Sequence, residues 1–281
     1  MHKTIYVTGI TGFIGSNLLP FLLKEFDKVI NFKREGNIEI ISSDSSIDQK
    51  ISEDIILNNP SSKLINLATL YDPYPKSISA LKNLIQSNIF FPAEVINSLE
   101  VLKGLKVINA VSYHQLLDFK SQNIYSLSKE LFKVFLEMKY PEIVNIYIFD
   151  TFGHDDKRNK VTDIFIKNIL NGDDLAIPKN DIRINLSDCG PVCSSIINSI
   201  DLEPGDYCIL SPNTISLYDL AKSIMEITNK HVKIIRTDMG RSFFDEIPEF
   251  PQNIFSSGPE YSFEDSLKNR IEEIENSLIN D

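Results

Sequence analysis

The stretch Lys3–Gly15, KTIYVTGITGFIG, decides the fold that this sequence predicts. Its apolar run from Ile5 to Val7 is typical of a buried parallel strand. Three glycines follow at regular intervals, at Gly9, Gly12 and Gly15, and an apolar segment with helical character comes next. Glycine suits a strand-to-helix turn because it accepts a positive φ and lets the backbone approach a diphosphate closely. Since the N–H groups at a helix N-terminus bind anions, the stretch predicts a dinucleotide-binding turn.

The composition restricts the class of protein. The chain has 281 residues, of which 42% are hydrophobic and 24% charged, as in an ordinary soluble globular protein. No apolar run reaches the roughly 18 residues that span a bilayer, and the first residues lack the apolar core of a signal peptide. We therefore expect a cytoplasmic protein without a membrane partner. A net charge of −11 argues against nucleic-acid binding and means that an anionic ligand needs local cations.

The three cysteines, Cys189, Cys193 and Cys208, are few and odd in number, which suits a reducing compartment. Cys189 and Cys193 have the spacing of a possible metal pair, but no third or fourth ligand lies nearby in the sequence. Metal sites need that larger set of ligands. We expect buried thiols here and no metal.

Strands alternate with helices through residues 1–150, which predicts a parallel sheet with helices on both faces. The predicted strands after the first are Lys28–Phe32, Asn37–Ile41, Lys63–Ala68, Gly104–Val111 and Glu142–Phe149. The predicted helices are Ile51–Leu57, Ser77–Glu100 with a kink at Pro92, and Tyr125–Tyr140, while Ser42–Gln49 is predicted to be a polar loop. The fold class is α/β, a Rossmann-type doubly wound sheet that forms an NAD(P)-binding domain.

In residues 151–281 the regular alternation of strands and helices ends. This region predicts a smaller substrate-binding domain that caps the rim of the sheet, and some of its segments are expected to return to the first domain. Its predicted helices are Val161–Leu170, Leu217–Thr228 and Ser262–Leu278. Between them, prolines at positions 178, 191, 204 and 212 indicate irregular segments.

Lys33 and Arg34 follow the second predicted strand directly. A cofactor without a 2′-phosphate is usually bound here by an acidic residue, whereas a guanidinium suits the 2′-phosphate. The pair therefore favours NADP(H), with NAD(H) still possible. The alternative is that both residues belong to a solvated charged turn.

Tyr125 and Lys129 form Y-x-x-x-K in a predicted helix, which stacks both side chains on one face. An ammonium beside a phenol favours the phenolate and lowers the pKa of the phenol. Ser112, at the end of the preceding strand, lies on the same rim of the sheet as Gly9 and can hold a substrate carbonyl against the phenol. The three side chains predict a catalytic set.

With these motifs in place, the sequence resembles the extended short-chain dehydrogenase/reductase family over nearly its whole length. The matching segments are residues 8–15 (TGxxGxxG), 66–69, Asn88, the Ser112–Tyr125–Lys129 triad, 150–158 and 182–188. The resemblance implies a cofactor bound by Gly9, Thr11, Gly12, Phe13, Ile14, Gly15, Lys33, Arg34, Leu67, Ala68, Asn88, Tyr125 and Lys129. It implies a substrate bound by Tyr71, Tyr113, His114, Thr151, Arg158 and Arg183.

The two later segments belong to the nucleotide-sugar branch of this family, so the resemblance implies a nucleoside-diphosphate sugar as substrate. Arg183 falls on the position that usually contacts its diphosphate, although it can also be an ordinary surface residue. Tyr113 and His114 stand where the 4,6-dehydratases have an Asp-Glu pair. The cysteine of the epimerising reductases and the acidic residue of the 4-epimerases are also missing, although His154 lies near a second epimerising position.

Reduction of a 4-keto sugar is the function that the resemblance favours, as in the 4-ketoreductases that finish deoxysugars for surface polysaccharide, such as the CDP-paratose and CDP-abequose synthases. A nucleotide-sugar 4-epimerase or an epimerase/reductase is the alternative within catalysis. A redox-sensing regulator with a Rossmann domain is the alternative outside catalysis. Such regulators typically lack the tyrosine and lysine that this chain retains.

The resemblance also implies a homodimer, in which helices near residues 78–101 and 124–139 pair with their copies. Apolar spacing of Leu127, Leu131, Val134 and Phe135 is consistent with a pairing face, although the same residues can pack inside the subunit.

Overall fold

The computed structural model describes residues 3–34, 36–102, 104–259 and 261–280, and within them the chain forms fourteen strands and nine α-helices. The strands are β1 (Thr4–Thr8), β2 (Lys28–Phe32), β3 (Asn37–Ile41), β4 (Ser46–Lys50), β5 (Lys63–Asn66), β6 (Lys106–Ser112), β7 (Ile143–Ile148), β8 (Asp150–Phe152), β9 (Leu175–Pro178), β10 (Arg183–Asp188), β11 (Gly205–Ile209), β12 (Thr214–Ser216), β13 (Ile234–Thr237) and β14 (Gln252–Asn253). The α-helices are α1 (Phe13–Glu25), α2 (Glu53–Asn58), α3 (Ile78–Ile85), α4 (Phe91–Ser98), α5 (Ile124–Lys139), α6 (Val161–Asn171), α7 (Cys189–Ser199), α8 (Leu217–Thr228) and α9 (Phe263–Asn280).

Nine strands form a central sheet in the order β14-β11-β7-β6-β5-β1-β2-β3-β4. The strands from β14 to β2 are parallel, and β3 and β4 add an antiparallel edge. The chain moves outward from β1 to β4 and then crosses back to β5, so the strand order reverses beside β1. Ligands of such sheets bind at the carboxyl ends of the strands next to this reversal. The predicted Rossmann-type α/β fold is confirmed.

Helices cover both faces of the central sheet, which is why its strands are apolar on both sides. Ile5 and Val7 pack with residues of α1 and α7 on one face, while Tyr6 packs with residues of α4 and α5 on the other. The apolar run of β1 is therefore buried completely, with Ile5, Tyr6 and Val7 all at 0% exposure.

A row of hydrogen-bonded polar side chains crosses the buried sheet, one from each of four neighbouring strands. Thr8 donates to Asn66 at 2.6 Å, Asn66 donates to Asn109 at 3.0 Å, and Asn109 donates to Asn145 at 3.0 Å. Asn145 ends this polar row by donating to Asp206 of β11 at 2.9 Å. The five residues occupy matching register positions. Buried amides are tolerated in a core when they are paired in this way.

The remaining strands and α6, α8 and α9 enclose a separate core. Phe152, Leu186 and Leu220 lie in it, and a buried ion pair joins Arg270 of α9 to Asp163 of α6 at 2.6 Å. However, β11 and β14 pair into the central sheet and α7 packs against α1. The division into domains at residue 150 stays a prediction.

Two sequence predictions in these regions are wrong. The predicted polar loop Ser42–Gln49 contains most of β4, which pairs with β3; all five β4 residues are exposed, so no apolar alternation marks the strand. The segment predicted to be irregular between Pro178 and Pro212 contains β10, α7 and β11. Pro191 lies in the first turn of α7, where a helix tolerates proline.

The predicted helix over Ser77–Glu100 is interrupted rather than continuous. A π-helical segment, Gln86–Phe90, separates α3 from α4, and Pro92 follows at the second residue of α4. A proline ring clashes with the carbonyl four residues earlier in a regular helix, so the wider π turn fits its position. This turn buries Ser87 and Asn88.

Candidate active site

The turn after β1 is so tight that it admits only glycine at two positions. Gly9 has φ +77°, and a Cβ there would lie 2.8 Å from the backbone nitrogen of Ala68, just beyond the end of β5. A Cβ on Gly15 would collide with the carbonyl oxygen of Gly9. The N-terminus of α1 is therefore brought close to the rim of the sheet with its N–H groups open to an anion.

A cavity of about 840 Å³ extends along this rim from the glycine turn. It is lined by most of the residues that the sequence predicts for the site: Gly9, Thr11, Gly12, Phe13, Ile14, Gly15, Lys33, Arg34, Leu67, Ala68, Tyr71, Ser112, Tyr113, His114, Tyr125, Lys129, Thr151 and Arg158. These residues include the carboxyl ends of β1, β2, β5, β6 and β7, which is where the strand order predicts a ligand site.

Two predicted residues do not line the cavity. Arg183 is exposed at the start of β10 and lies 3.7 Å from Asp245. Asn88 is buried behind the wall, where its side chain accepts from the N–H of Leu70 at 2.7 Å and donates to Ser128 at 2.9 Å. Asn88 therefore fixes the loop after β5.

Ser112, Tyr125 and Lys129 meet on one wall of the cavity. Ser112 is the last residue of β6, and α5 carries Tyr125 and Lys129 one turn apart. Both α5 side chains are buried, at 8% and 7% exposure. Asn123 caps the helix by accepting from the N–H of Ser126 at 2.9 Å, so α5 begins one residue before Tyr125 and fixes the direction of its side chain.

Burial controls the charges of this pair. It raises the pKa of Tyr125 to about 12, and hydrogen bonds with Thr69 and Ser112 act in the opposite direction. Burial also lowers the pKa of Lys129 to about 8. The sequence argument, in which Lys129 lowers the pKa of Tyr125, omitted this larger effect of burial. Because its pKa lies far above 7, Tyr125 is protonated at neutral pH and can donate a proton.

Aromatic rings form the wall beyond Tyr125. Tyr71 meets Tyr125 edge to face, with ring centroids 4.9 Å apart, and Tyr113 stacks on Phe149 at 5.1 Å. His114 lies against Tyr113, and its Nδ1 is 3.3 Å from the hydroxyl of Ser112. Burial lowers the pKa of His114 to about 4, so the ring is neutral at pH 7.

Sequence reasoning missed two charged residues of the cavity, Asp150 and Lys160. The Lys160 ammonium lies 3.9 Å from the centre of the Tyr71 ring and forms no ion pair with a described residue. Burial lowers the pKa of Lys160 and raises the pKa of Asp150. The signal was present, since Asp150 opens the segment that matches the family and Lys160 follows Arg158 by two residues directly before α6.

The two cations after β2 have different surroundings. Lys33 lies 2.6 Å from Asp48 and 3.3 Å from Glu39, so carboxylates already compensate its charge. Among the described residues, Arg34 makes one side-chain hydrogen bond, 2.8 Å long, to Ser87 in the π turn. Its guanidinium lines the cavity, and its other donors have no partner in the part of the chain that the structure describes.

Cys189 and Cys193 are buried, with their sulfur atoms 3.9 Å apart on α7. Across the described ranges, no group of three or more metal-ligating side chains is found. In those same ranges, no helix combines the length and the apolar character needed to cross a membrane.

Comparisons with known proteins identify the family to which this chain belongs. The model of the NAD dependent epimerase/dehydratase family matches residues 5–183, and this chain belongs to that family. The resemblance to extended short-chain dehydrogenases/reductases is thereby confirmed.

Among curated relatives, the chain is similar to a CDP-abequose synthase from Yersinia pseudotuberculosis, with 25% identity over 89% of this chain and 94% of the relative. Among solved structures it is similar to UDP-glucose 4-epimerase from Thermotoga maritima, with a TM-score of 0.76, 16% identity and coverage of 98% and 99% of the two chains. A dTDP-glucose 4,6-dehydratase from Bacillus anthracis, solved with NAD, matches with a TM-score of 0.69, 14% identity and coverage of 98% and 97%.

Proposed function

We propose that this protein is a nucleotide-sugar 4-ketoreductase, which uses NADPH to reduce the 4-keto group of a nucleoside-diphosphate deoxysugar in the synthesis of a surface polysaccharide. The observation that carries the proposal is the meeting of Ser112, Tyr125 and Lys129 on the wall of the cavity that begins at the glycine turn. The similarity to a CDP-abequose synthase, nearly end to end, supports the class of substrate.

The residues of the cavity fit a nicotinamide dinucleotide. A Cβ at Gly9 or Gly15 would collide with neighbouring backbone, so only glycine permits the tight turn that brings the N-terminus of α1 to a dinucleotide diphosphate. At the end of β2, the buried Oδ1 of Asn31 has no hydrogen-bond partner among the described residues. The ammonium of Lys129 likewise makes no hydrogen bond to them, which leaves it available to a ribose hydroxyl. The presence of Arg34 in the cavity after β2 supports NADPH over NADH, because a guanidinium suits a 2′-phosphate.

The local cation that an acidic protein needs for an anionic substrate is Lys160 in the cavity. Tyr71, Tyr113, His114 and Thr151 surround the space left for the sugar. Arg183, which the sequence assigned to the diphosphate, does not line this cavity, so it supports the proposal less.

The chemistry of these side chains suits the reduction of a ketone. When bound, the nicotinamide supplies a hydride to C4 of the sugar. Ser112 donates a hydrogen bond to the C4 oxygen and aligns it with the phenol, and Tyr125 then transfers its proton to that oxygen. The positive charge of Lys129 stabilises the phenolate that remains. Bulk solvent then returns a proton to Tyr125.

The family match makes 4-epimerisation the second candidate. Combined epimerisation and reduction has less support, because His154 is 82% exposed and pairs with Glu273 at 3.0 Å instead of facing the cavity. A regulator without catalysis would have no use for the buried tyrosine and lysine.

The deciding experiment incubates the purified protein with NADPH and 4-keto sugars attached to CDP, dTDP, GDP or UDP. A ketoreductase consumes one NADPH for each ketone lost, measured by absorbance and mass spectrometry. Interconversion of C4 epimers without net consumption of NADPH would identify an epimerase. Cofactor binding without turnover of any of these sugars would support the regulator.

A further inference from the structure

Arg158 is held rigidly beside the cavity. Its Nε and Nη2 atoms form a two-point ion pair with the carboxylate of Asp156, at 2.8 and 2.7 Å, and Nη2 also donates to the carbonyl of Thr151 at 2.7 Å. The side chain of Asp156 is fully buried, and Arg270 of α9 donates to the Asp156 carbonyl at 2.8 Å. These contacts fix the plane of the guanidinium, as two-point pairing does.

The fixed guanidinium lies against the glycine turn. Its Cζ atom is 3.8 Å from the centre of the Phe13 ring, and Phe13 is the first residue of α1, directly after Gly12. Among the described residues, Nη1 is the one guanidinium nitrogen of Arg158 without a hydrogen-bond partner. A helix N-terminus of this type is the place where a dinucleotide diphosphate binds.

We propose that Arg158 binds the diphosphate bridge of the cofactor through Nη1, instead of the substrate to which the sequence assigned it. The proposal rests on the nicotinamide cofactor of the proposed function. Backbone N–H groups of the glycine turn approach the diphosphate from one side, and Arg158 closes over it from the second half of the chain. Asp156 and Arg270 are positioning residues for this contact.

The test measures binding rather than turnover. Arg158→Gln is titrated calorimetrically with NADPH, NADH, CDP and UDP. Loss of one charge-assisted hydrogen bond should raise the Kd of both dinucleotides by about ten- to a hundredfold. The Kd values of CDP and UDP should stay at the wild-type level, because Arg158 faces the cofactor. Lys160→Gln is the matched control, since it removes another cavity cation that lies over Tyr71 and not over Phe13.

Several outcomes would overturn the inference. Equal loss of dinucleotide binding in both variants would indicate a general effect of cavity charge. Weaker binding of CDP and UDP with unchanged dinucleotide binding would return Arg158 to the substrate. If Arg158→Gln fails to fold, Arg158→Lys provides the same test, because it keeps the charge but cannot pair with Asp156 at two points and also reach the diphosphate. A wild-type protein that binds neither dinucleotide contradicts the proposed function itself.

Discussion

At the scale of single residues, the cavity wall shows how burial prepares acid and base groups. Tyr125 and Lys129 are both shielded from water. Burial raises the pKa of Tyr125 and lowers the pKa of Lys129, so in both residues it favours the neutral form. The same burial that keeps the phenol protonated makes the ammonium costly to the fold. Function and stability therefore impose opposite requirements at Lys129.

Tyr125→Phe tests the proton donor. The substitution removes one oxygen, so we expect the fold and the affinity for NADPH to change little. The rate of single-turnover NADPH oxidation should fall by about 10²–10⁴-fold, the usual contribution of a positioned acid. Tyr140→Phe, at the far end of α5 where the hydroxyl meets Glu100, is the control and should keep the wild-type rate. A near-normal rate in Tyr125→Phe would exclude Tyr125 as the acid.

Arg34→Ala tests the preference for NADPH. Loss of a charge-assisted contact with the 2′-phosphate costs about 1.5–3 kcal/mol, so the affinity for NADPH should fall by roughly tenfold or more. Affinity for NADH should be nearly unchanged. Lys33→Ala is the matched control and should have little effect, because Asp48 and Glu39 already compensate Lys33. Equal losses of NADPH and NADH affinity in Arg34→Ala would contradict the assignment.

Lys129→Met tests the cost of the buried ammonium. The pKa of Lys129 falls from 10.5 to about 8 on folding, so the charged form destabilises the protein below pH 8. The free energy of unfolding at pH 7 should therefore rise by about 3 kcal/mol in the methionine variant. Lys129 loses its proton above about pH 8 in the folded wild type and above about pH 10 in the unfolded chain. The stability advantage of the methionine variant should therefore shrink between these two pH values. Urea unfolding at pH 7 and pH 10 measures it, and an unstabilised variant at pH 7 would refute the argument.

At the scale of elements, local patterns in the sequence predicted most of the strands and helices of the fold. The glycine turn, the apolar strands and the Tyr125–Lys129 spacing depend on residues close together in the chain, and the structure places them as expected. In contrast, β4 is stabilised by pairing with β3 and not by a local apolar pattern. Pro191 lies in the first turn of α7, where a helix tolerates proline, so it did not mark an irregular segment. Arg158 contacts Phe13, 145 positions earlier in the numbering, which no local pattern encodes. The polar row likewise depends on the register of four strands.

The polar row gives a prediction about sheet stability. Asn109→Leu keeps a side chain of similar size but leaves the Asn66 amide and the Asn145 carbonyl without their partner. Each unsatisfied buried group costs about 1–3 kcal/mol, so the free energy of unfolding should fall by at least one such step. Asn97→Leu, on the exposed side of α4, is the control. Equal stability of the two variants would show that water or a rearrangement satisfies the row.

At the scale of the whole molecule, the exposed face of α5 supports the homodimer that the sequence predicts. Leu131 is 59% exposed and Met138 is 84% exposed, and Val134 and Phe135 lie beside them, whereas Leu127 is half-buried. An apolar helix face of this extent is typical of a surface that another molecule covers.

The dimer is tested by light scattering at micromolar concentration, where we expect twice the mass of one chain. Leu131→Glu combined with Met138→Glu should halve this mass, because two charges would be buried at the interface. Leu278→Glu introduces the same charge on exposed α9 and should leave the mass unchanged. A wild-type protein with the mass of one chain would contradict the homodimer.

The order in which the central sheet is assembled has a consequence for the synthesis of this protein. The open edge of β7 is covered by β11, whose residues leave the ribosome about sixty positions after β7, and the face of α1 is covered by the equally late α7. Until then, a nascent chain exposes an unpaired strand and an apolar helix face, both of which favour aggregation. We therefore expect the yield in a cell to depend on how quickly translation passes residue 209, and a chain truncated before that point to keep both surfaces exposed to aggregation.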